Sequence, residues 1–352
     1  MGKYSQNVLN ILTALECKGV SNRWVIDNYH PNMTSQELDE RIRNTLQNKY
    51  CFDFFEKMEE VESYLDKSGE GIRFTAFGDE DFPTCRFKQI NKTDLPVFLA
   101  YKGDLNLLRG NNFNIAVIGL LNPTSEIESL ERAVLKEILK FDTTIVSGLA
   151  LGCDSIAHES VSSENCTIAI LPSTLEDILP KRNTALADDI VANKNGLLIS
   201  EYYKPPTNRY DMIGRYTRRD RLQALFSDMV ILTASYSEFD SKRDKKKDSG
   251  SRHAMGKAKE YGIKRAVMHD ENIFDNEMFN LNRELIKYEG LDVSNLNQES
   301  IKAFNANKSN RGFKIITRDN AESIIKGLKK WKEEAKECQE KFKGKQENLF
   351  DI

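Results

Sequence analysis

Apolar positions recur at helical spacing near the start of the chain, at Val8, Leu9, Ile11, Leu12 and Leu15. Met33-Thr34-Ser35-Gln36-Glu37-Leu38 sets a hydroxyl three residues ahead of an acid, the pattern that opens a helix. Residues 1–70 are therefore read as a helical domain, and Ser68-Gly69-Glu70-Gly71 as the linker that ends it. A short bridge, Phe74 to Gly103, is punctuated by Pro83 and Pro96. From residue 113 the texture changes to short apolar runs, each followed by a helical pattern. The runs are Ile115-Ala116-Val117-Ile118, Thr144-Ile145-Val146-Ser147, Thr167 to Leu171, Leu197 to Glu201, Met229 to Thr233 and Arg265 to Met268. Helices are expected over about 125–141 and from about Ser155. Fully apolar strands alternating with amphipathic helices predict an α/β fold with a doubly wound, mostly parallel, Rossmann-like sheet. This unit is expected to continue to residue 320. A helix rich in lysine and glutamate follows over about 321–343, then a tail to Ile352. The domains so expected are 1–70, 74–320 and 321–352.

Composition narrows the function classes. With 51 basic and 54 acidic residues among 352, the net charge is −3, so a nucleic-acid site has to be a local patch. No run of eighteen or more apolar residues occurs, which argues against a membrane span, and the N-terminus does not read as a signal peptide. The six cysteines form no CxxC pair, so a cytoplasmic location is expected, without structural zinc or a disulfide framework.

Four segments carry candidate chemistry. Ser147-Gly148-Leu149-Ala150-Leu151-Gly152-Cys153-Asp154-Ser155-Ile156-Ala157-His158 follows a strand and opens a helix. Glycines there allow backbone N–H groups to approach a phosphate at a helix N-terminus. A tight turn capped by Asp154 or Ser155 explains the spacing equally well. Lys181-Arg182-Asn183 offers two cations and an amide after a strand, although alone it reads better as a solvated turn. Between Lys204 and Arg221 lie six basic and two acidic residues, including Arg218, Arg219 and Arg221, interleaved with Tyr210 and Tyr216. That mixture suits phosphates and stacked bases and slightly favours binding over a salt-bridged helix start with Arg221 tethered to a carboxylate. Ser249-Gly250-Ser251 precedes a helical stretch and could hold a further phosphate or simply cap the helix. No nucleophile stands beside His158 or His253, nothing has metal-site spacing, and no cofactor is expected.

In this order the motifs resemble the DNA-processing protein family DprA, also called Smf. The resemblance covers about residues 74–290. It rests on the Ser147–His158 signature, Thr167–Leu171, Pro180 with Asn183 and Leu186, Gly196–Glu201, Arg219-Asp220-Arg221-Leu222 and Ser249-Gly250-Ser251. It implies phosphate contacts at Gly119, Ser147, Gly148, Gly152, Lys181, Arg182, Asn183, Arg218, Arg219, Arg221, Ser249, Gly250 and Ser251. It also implies single-stranded DNA as ligand, delivery of the strand to a RecA-type recombinase, a homodimer, and binding rather than catalysis. Three departures mark a divergent member. The family's Gly-Ser-Arg loop is here Gly119-Leu120-Leu121-Asn122. The central asparagine of its Arg-Asn-Arg stretch is Asp220, expected to repel phosphate. An insertion spans about Ser237 to Lys247, read as a charged loop over 241–248. The alternative reading is a nucleotide-sensing or nucleotide-hydrolysing protein of the same superfamily, placed in phage defence. Finally, Gln346, Leu349 and Phe350 in the tail resemble the short peptide by which DNA-replication and repair proteins bind the sliding clamp. Packing of Leu349 and Phe350 back onto the protein explains them equally well.

Overall fold

The computed structural model describes residues 3–47, 53–86, 90–245, 250–307 and 312–347, apart from the side chains at 85, 295 and 338–347. Four helices come first: α1 (Gln6–Glu16), α2 (Asn22–Asn28), α3 (Ser35–Leu46) and α4 (Phe54–Leu65). Thr34 and Glu37 close the expected capping box, each satisfying the other's backbone N–H at the start of α3. Val8, Ile11, Val25, Leu38, Ile42, Phe54 and Val61 bury their side chains together. Their core continues into Ala76, Phe98, Ala100, Ala169 and Leu198 on one face of the sheet.

The sheet has nine strands among the described residues. They are β1 (Arg73–Ala76), β2 (Phe98–Gly103), β3 (Asn114–Ile118), β4 (Thr144–Ser147), β5 (Cys166–Leu171), β6 (Leu197–Ser200), β7 (Met229–Leu232), β8 (Lys264–Met268) and β9 (Phe313–Ile316). Their order is β1-β2-β6-β5-β4-β3-β7-β8-β9. All pairings from β6 to β9 are parallel, and β1 and β2 are added antiparallel at the β6 edge. The stretch read as a bridge thus supplies two strands. β3, β4 and β7 are buried along their whole length, as strands covered by helices on both faces must be.

The chain lays down β3, β4, β5 and β6 in one direction, then returns to place β7 on the other side of β3. At that reversal the connections leave the two neighbouring strands towards opposite faces, which opens a crevice at their carboxyl ends. The helices around it are α5 (Ser125–Ile138), α6 (Cys153–Glu159), α7 (Thr184–Asn193), α8 (Arg209–Leu225), α9 (Glu238–Arg243) and α10 (Ser251–Glu260). α9 occupies the start of the inserted segment, so 241–243 are helical and not loop. The chain ends through α11 (Asn280–Tyr288), α12 (Gln298–Ala306), β9 and the long α13 (Ala321–Glu347). No helix among the described residues is long and apolar enough to cross a membrane.

Candidate phosphate-binding site

The crevice holds a cavity of about 320 Å³. Gly119 after β3, Gly148 after β4, Arg219 and Asp220 on α8, and Gly250 and Ser251 at the start of α10 all face it. A Cβ at Gly148 would fall on the Arg219 guanidinium and the Gln223 amide, so any side chain there would displace both from the cavity wall. Gln223 lies one turn beyond Arg219 and is buried. With its amide oxygen towards the loop it accepts from the Gly148 N–H at 3.1 Å and from Arg219 Nη1.

The loop after β4 is over-determined. Asp154 Oδ2 accepts from the N–H groups of Gly148 at 3.1 Å and Ala150 at 3.2 Å. Asn183 Nδ2 donates to the carbonyls of Leu149 and Ala150 and to Ser155 Oγ. These bonds hold Leu149 at φ 57°, a conformation a bulky residue adopts only under constraint. Gly152, with φ 72°, begins α6, and Cys153 N–H donates to the Leu120 carbonyl at 3.0 Å. The two glycine loops are therefore tied to each other.

Several residues expected to touch phosphate are committed elsewhere. Ser147 is fully buried and donates to the Val117 carbonyl at 2.7 Å. Asn183 spends its amide N–H groups on the loop, as above. Arg221 is 4% exposed and forks onto Glu201 at 2.6 and 2.7 Å, while its Nε donates to the Asp94 carbonyl at 2.8 Å. Lys181 and Arg182 are exposed in a short 3-10 turn outside the cavity wall, with Lys181 paired to Asp177. Arg218 is exposed and faces a different groove, beside Tyr202, Tyr203 and Arg215. Ser251 Oγ donates to the Gly119 carbonyl at 3.2 Å, joining the α10 start to the β3 loop. Ser249, Leu349 and Phe350 lie outside the described residues, and Gln346 falls within α13 with its side chain not described. His158 is packed: it is fully buried, hydrogen-bonded through Nδ1 to Thr167 Oγ1 at 2.7 Å, and burial pushes its pKa down to about 3.

Asp154, offered by the sequence as a possible cap of the turn, does organise the loop through the Gly148 and Ala150 N–H groups, whereas sequence reasoning missed Gln223. The i, i+4 relation of Gln223 to Arg219 on α8 was available as a signal.

Charge in the cavity is nearly balanced. Arg219 Nη1 lies 3.4 Å from Asp220 Oδ1 and 3.8 Å from Asp154 Oδ2. Burial raises the Asp154 carboxyl, with Arg219 and the loop N–H groups opposing. Burial pushes Asp220 up to about 7, against the pull of Arg219 and with a further push from Asp154. Near neutrality Asp220 is thus partly protonated and repels an anion less than a free aspartate would. Because its folded pKa exceeds its unfolded value, the stability it contributes is complete below about pH 4 and lost as pH rises through about 7. Asp220→Asn is therefore expected to be more stable than wild type at about pH 8, by roughly 1–4 kcal/mol, with little gain at about pH 4. Urea midpoints at the two pH values check this; an equal difference at both would show that the carboxyl titrates normally.

Residues 73–302 match the family model of DNA recombination-mediator protein A. DNA processing protein DprA of Bacillus subtilis is 32% identical over 140 residues, 40% of this chain and 45% of that protein. DNA processing protein DprA of Streptococcus pneumoniae is 36% identical over 111 residues, 31% of this chain and 37% of that protein. The chain therefore matches less than half the length of these curated relatives. The X-ray structure of DNA processing protein A from Streptococcus pneumoniae shares the fold, with a TM-score of 0.63 at 20% identity over 89% of this chain and 96% of that one. Since the matched region is more than half of the chain, the protein belongs to the DNA recombination-mediator protein A family.

Proposed function

We propose that this protein binds single-stranded DNA, with a backbone phosphate held in the cavity at the switch point of the sheet, and that it acts by binding rather than by catalysis. The observation that carries this is Arg219, a guanidinium only 6% exposed, set behind Gly148 where no side chain obstructs it. Gly119, Gly250 and the first turn of α10 supply backbone close to the same space, as phosphate sites at helix N-termini do. Lys181, Arg182 and Arg218 stand outside the cavity as exposed cations for neighbouring phosphates. In the same reading the chain works as a homodimer and hands its strand to a RecA-type recombinase, and the tail bearing Gln346, Leu349 and Phe350 docks on the sliding clamp. Nucleotide sensing is the second reading. It draws on Leu121, 45% exposed, where the resemblance implies an arginine.

Fluorescence anisotropy with a labelled oligonucleotide tests the first reading. Affinity is expected to fall steeply with salt, and each lost phosphate contact to reduce the logarithmic slope by about 0.7. Arg219→Ala and Lys181→Ala are both expected to weaken binding and to lower that slope without changing sequence preference. Unchanged slopes in both variants would make these cations structural.

A further inference from the structure

A second, open groove of about 630 Å³ runs between α8 and α10 and shares Tyr216, Asp220 and Gly250 with the phosphate cavity. The outer face of α8 is unusual for a solvated helix. Tyr210, Ile213 and Tyr216 recur at three-residue spacing and are 86%, 53% and 37% exposed. Tyr216 is steadied by Arg219, whose guanidinium carbon lies 5.9 Å from the ring centroid. The opposite wall includes Gly256, where a Cβ would meet nothing within 4 Å, so no neighbouring side chain fills the groove at that point.

At the junction of groove and cavity sits Asp220, 5% exposed. Among the described residues its one charged neighbour within 4 Å is Arg219, on Oδ1, while Oδ2 lies against Gly250 at the junction. Among the described residues no N–H or O–H donates a hydrogen bond to it, so an ionised carboxylate there is an acceptor facing the groove. A buried acceptor of this kind is satisfied by a ligand that donates to it, and leaving it unmet is costly.

We propose that the groove between α8 and α10 is a nucleobase subsite in which Tyr216 stacks the base and Asp220 accepts a hydrogen bond from its exocyclic amino group. A base whose phosphate occupies the adjoining cavity enters this groove directly. Cytosine, adenine and guanine carry an exocyclic amino group, and thymine does not. Thymine offers one N–H between two carbonyl oxygens, which a carboxylate repels. The subsite therefore prefers amino-bearing bases, a selectivity that phosphate contacts alone do not give. This rests on the single-strand reading above.

The test is anisotropy with labelled oligo(dC) and oligo(dT) at about pH 8.5, where Asp220 is ionised. The two pyrimidines stack alike and differ mainly in the amino group. Wild type is expected to bind oligo(dC) about tenfold more tightly. In Asp220→Asn the amide both donates and accepts, so the two affinities should converge to within about twofold. Tyr216→Ala should weaken both by about tenfold. Equal affinities in wild type, or a preference that survives Asp220→Asn, would overturn the proposal while leaving the single-strand reading intact. So would a Tyr216→Ala variant of unchanged affinity. Failure to bind either oligonucleotide would overturn the single-strand reading itself.

Discussion

Gly152→Val is expected to cost about 3 kcal/mol or more of folding stability. Two effects add. At φ 72° and ψ −125° the residue occupies backbone space that side chains avoid, so any Cβ is strained there. That Cβ would also lie within 2.5 Å of the Leu121 carbonyl oxygen and closer still to that of Leu120. These are backbone atoms of the loop that carries Gly119, and the Cys153–Leu120 hydrogen bond holds that loop against α6. The loop cannot yield as a flexible side chain would. Gly152→Ala should show much of the same loss, because the first carbon of the side chain is what collides. Gly256→Ala is the matched control. It lies exposed within α10 with open space at its Cβ, and should be neutral or stabilising by up to about 1 kcal/mol. Against a total stability of about 5–15 kcal/mol, the loss at Gly152 should move the urea midpoint plainly. A midpoint equal to wild type would mean that the two glycine loops are not packed as described.

The parallel strands were legible because burial on both faces leaves its mark as short, uninterrupted apolar runs. Each of the six expected strands is present, with boundaries displaced by a residue or so. β1 and β2 were not, because Pro83 and Pro96 and the polar residues around them hide an antiparallel pairing whose partner, β6, lies about a hundred residues on. The short β9 follows a polar stretch and has Lys314 within it, which conceals it. At the site, Gly148 was legible because a glycine between a strand and a helix signals close approach. Arg221 was offered as a possible carboxylate tether, yet binding was slightly favoured for Arg219 and Arg221 alike. They are two residues apart on one helix, hence about 200° apart around its axis. One faces the cavity and the other faces β6, and only the tertiary position of Glu201 tells them apart. Asp220 was read as a local repulsion of phosphate. Burial changes its protonation instead, which no sequence pattern reports.

That separation makes the second large effect. Arg221→Ala is expected to destabilise the protein by about 3–5 kcal/mol, because it strands the buried Glu201 carboxylate without its partner. The fork is bidentate, and the same guanidinium also donates to the Asp94 and Arg218 carbonyls. One side chain thereby ties α8 to the end of β6 and to the segment before β2. Arg221→Lys should recover only part of the loss, since an ammonium cannot match two carboxylate oxygens and two carbonyls at once. The double variant Arg221→Met with Glu201→Gln should be more stable than Arg221→Ala, because no charge is then left uncompensated. Urea midpoints of the three variants give the comparison. Arg219→Ala leaves the buried Asp154 and Asp220 without their shared cation and should also lower stability, but by less, since the contacts are longer and both carboxyls are shifted towards the neutral form. If Arg221→Ala instead kept its stability and lost affinity for single-stranded DNA, the guanidinium would be a phosphate ligand and the pair with Glu201 dispensable.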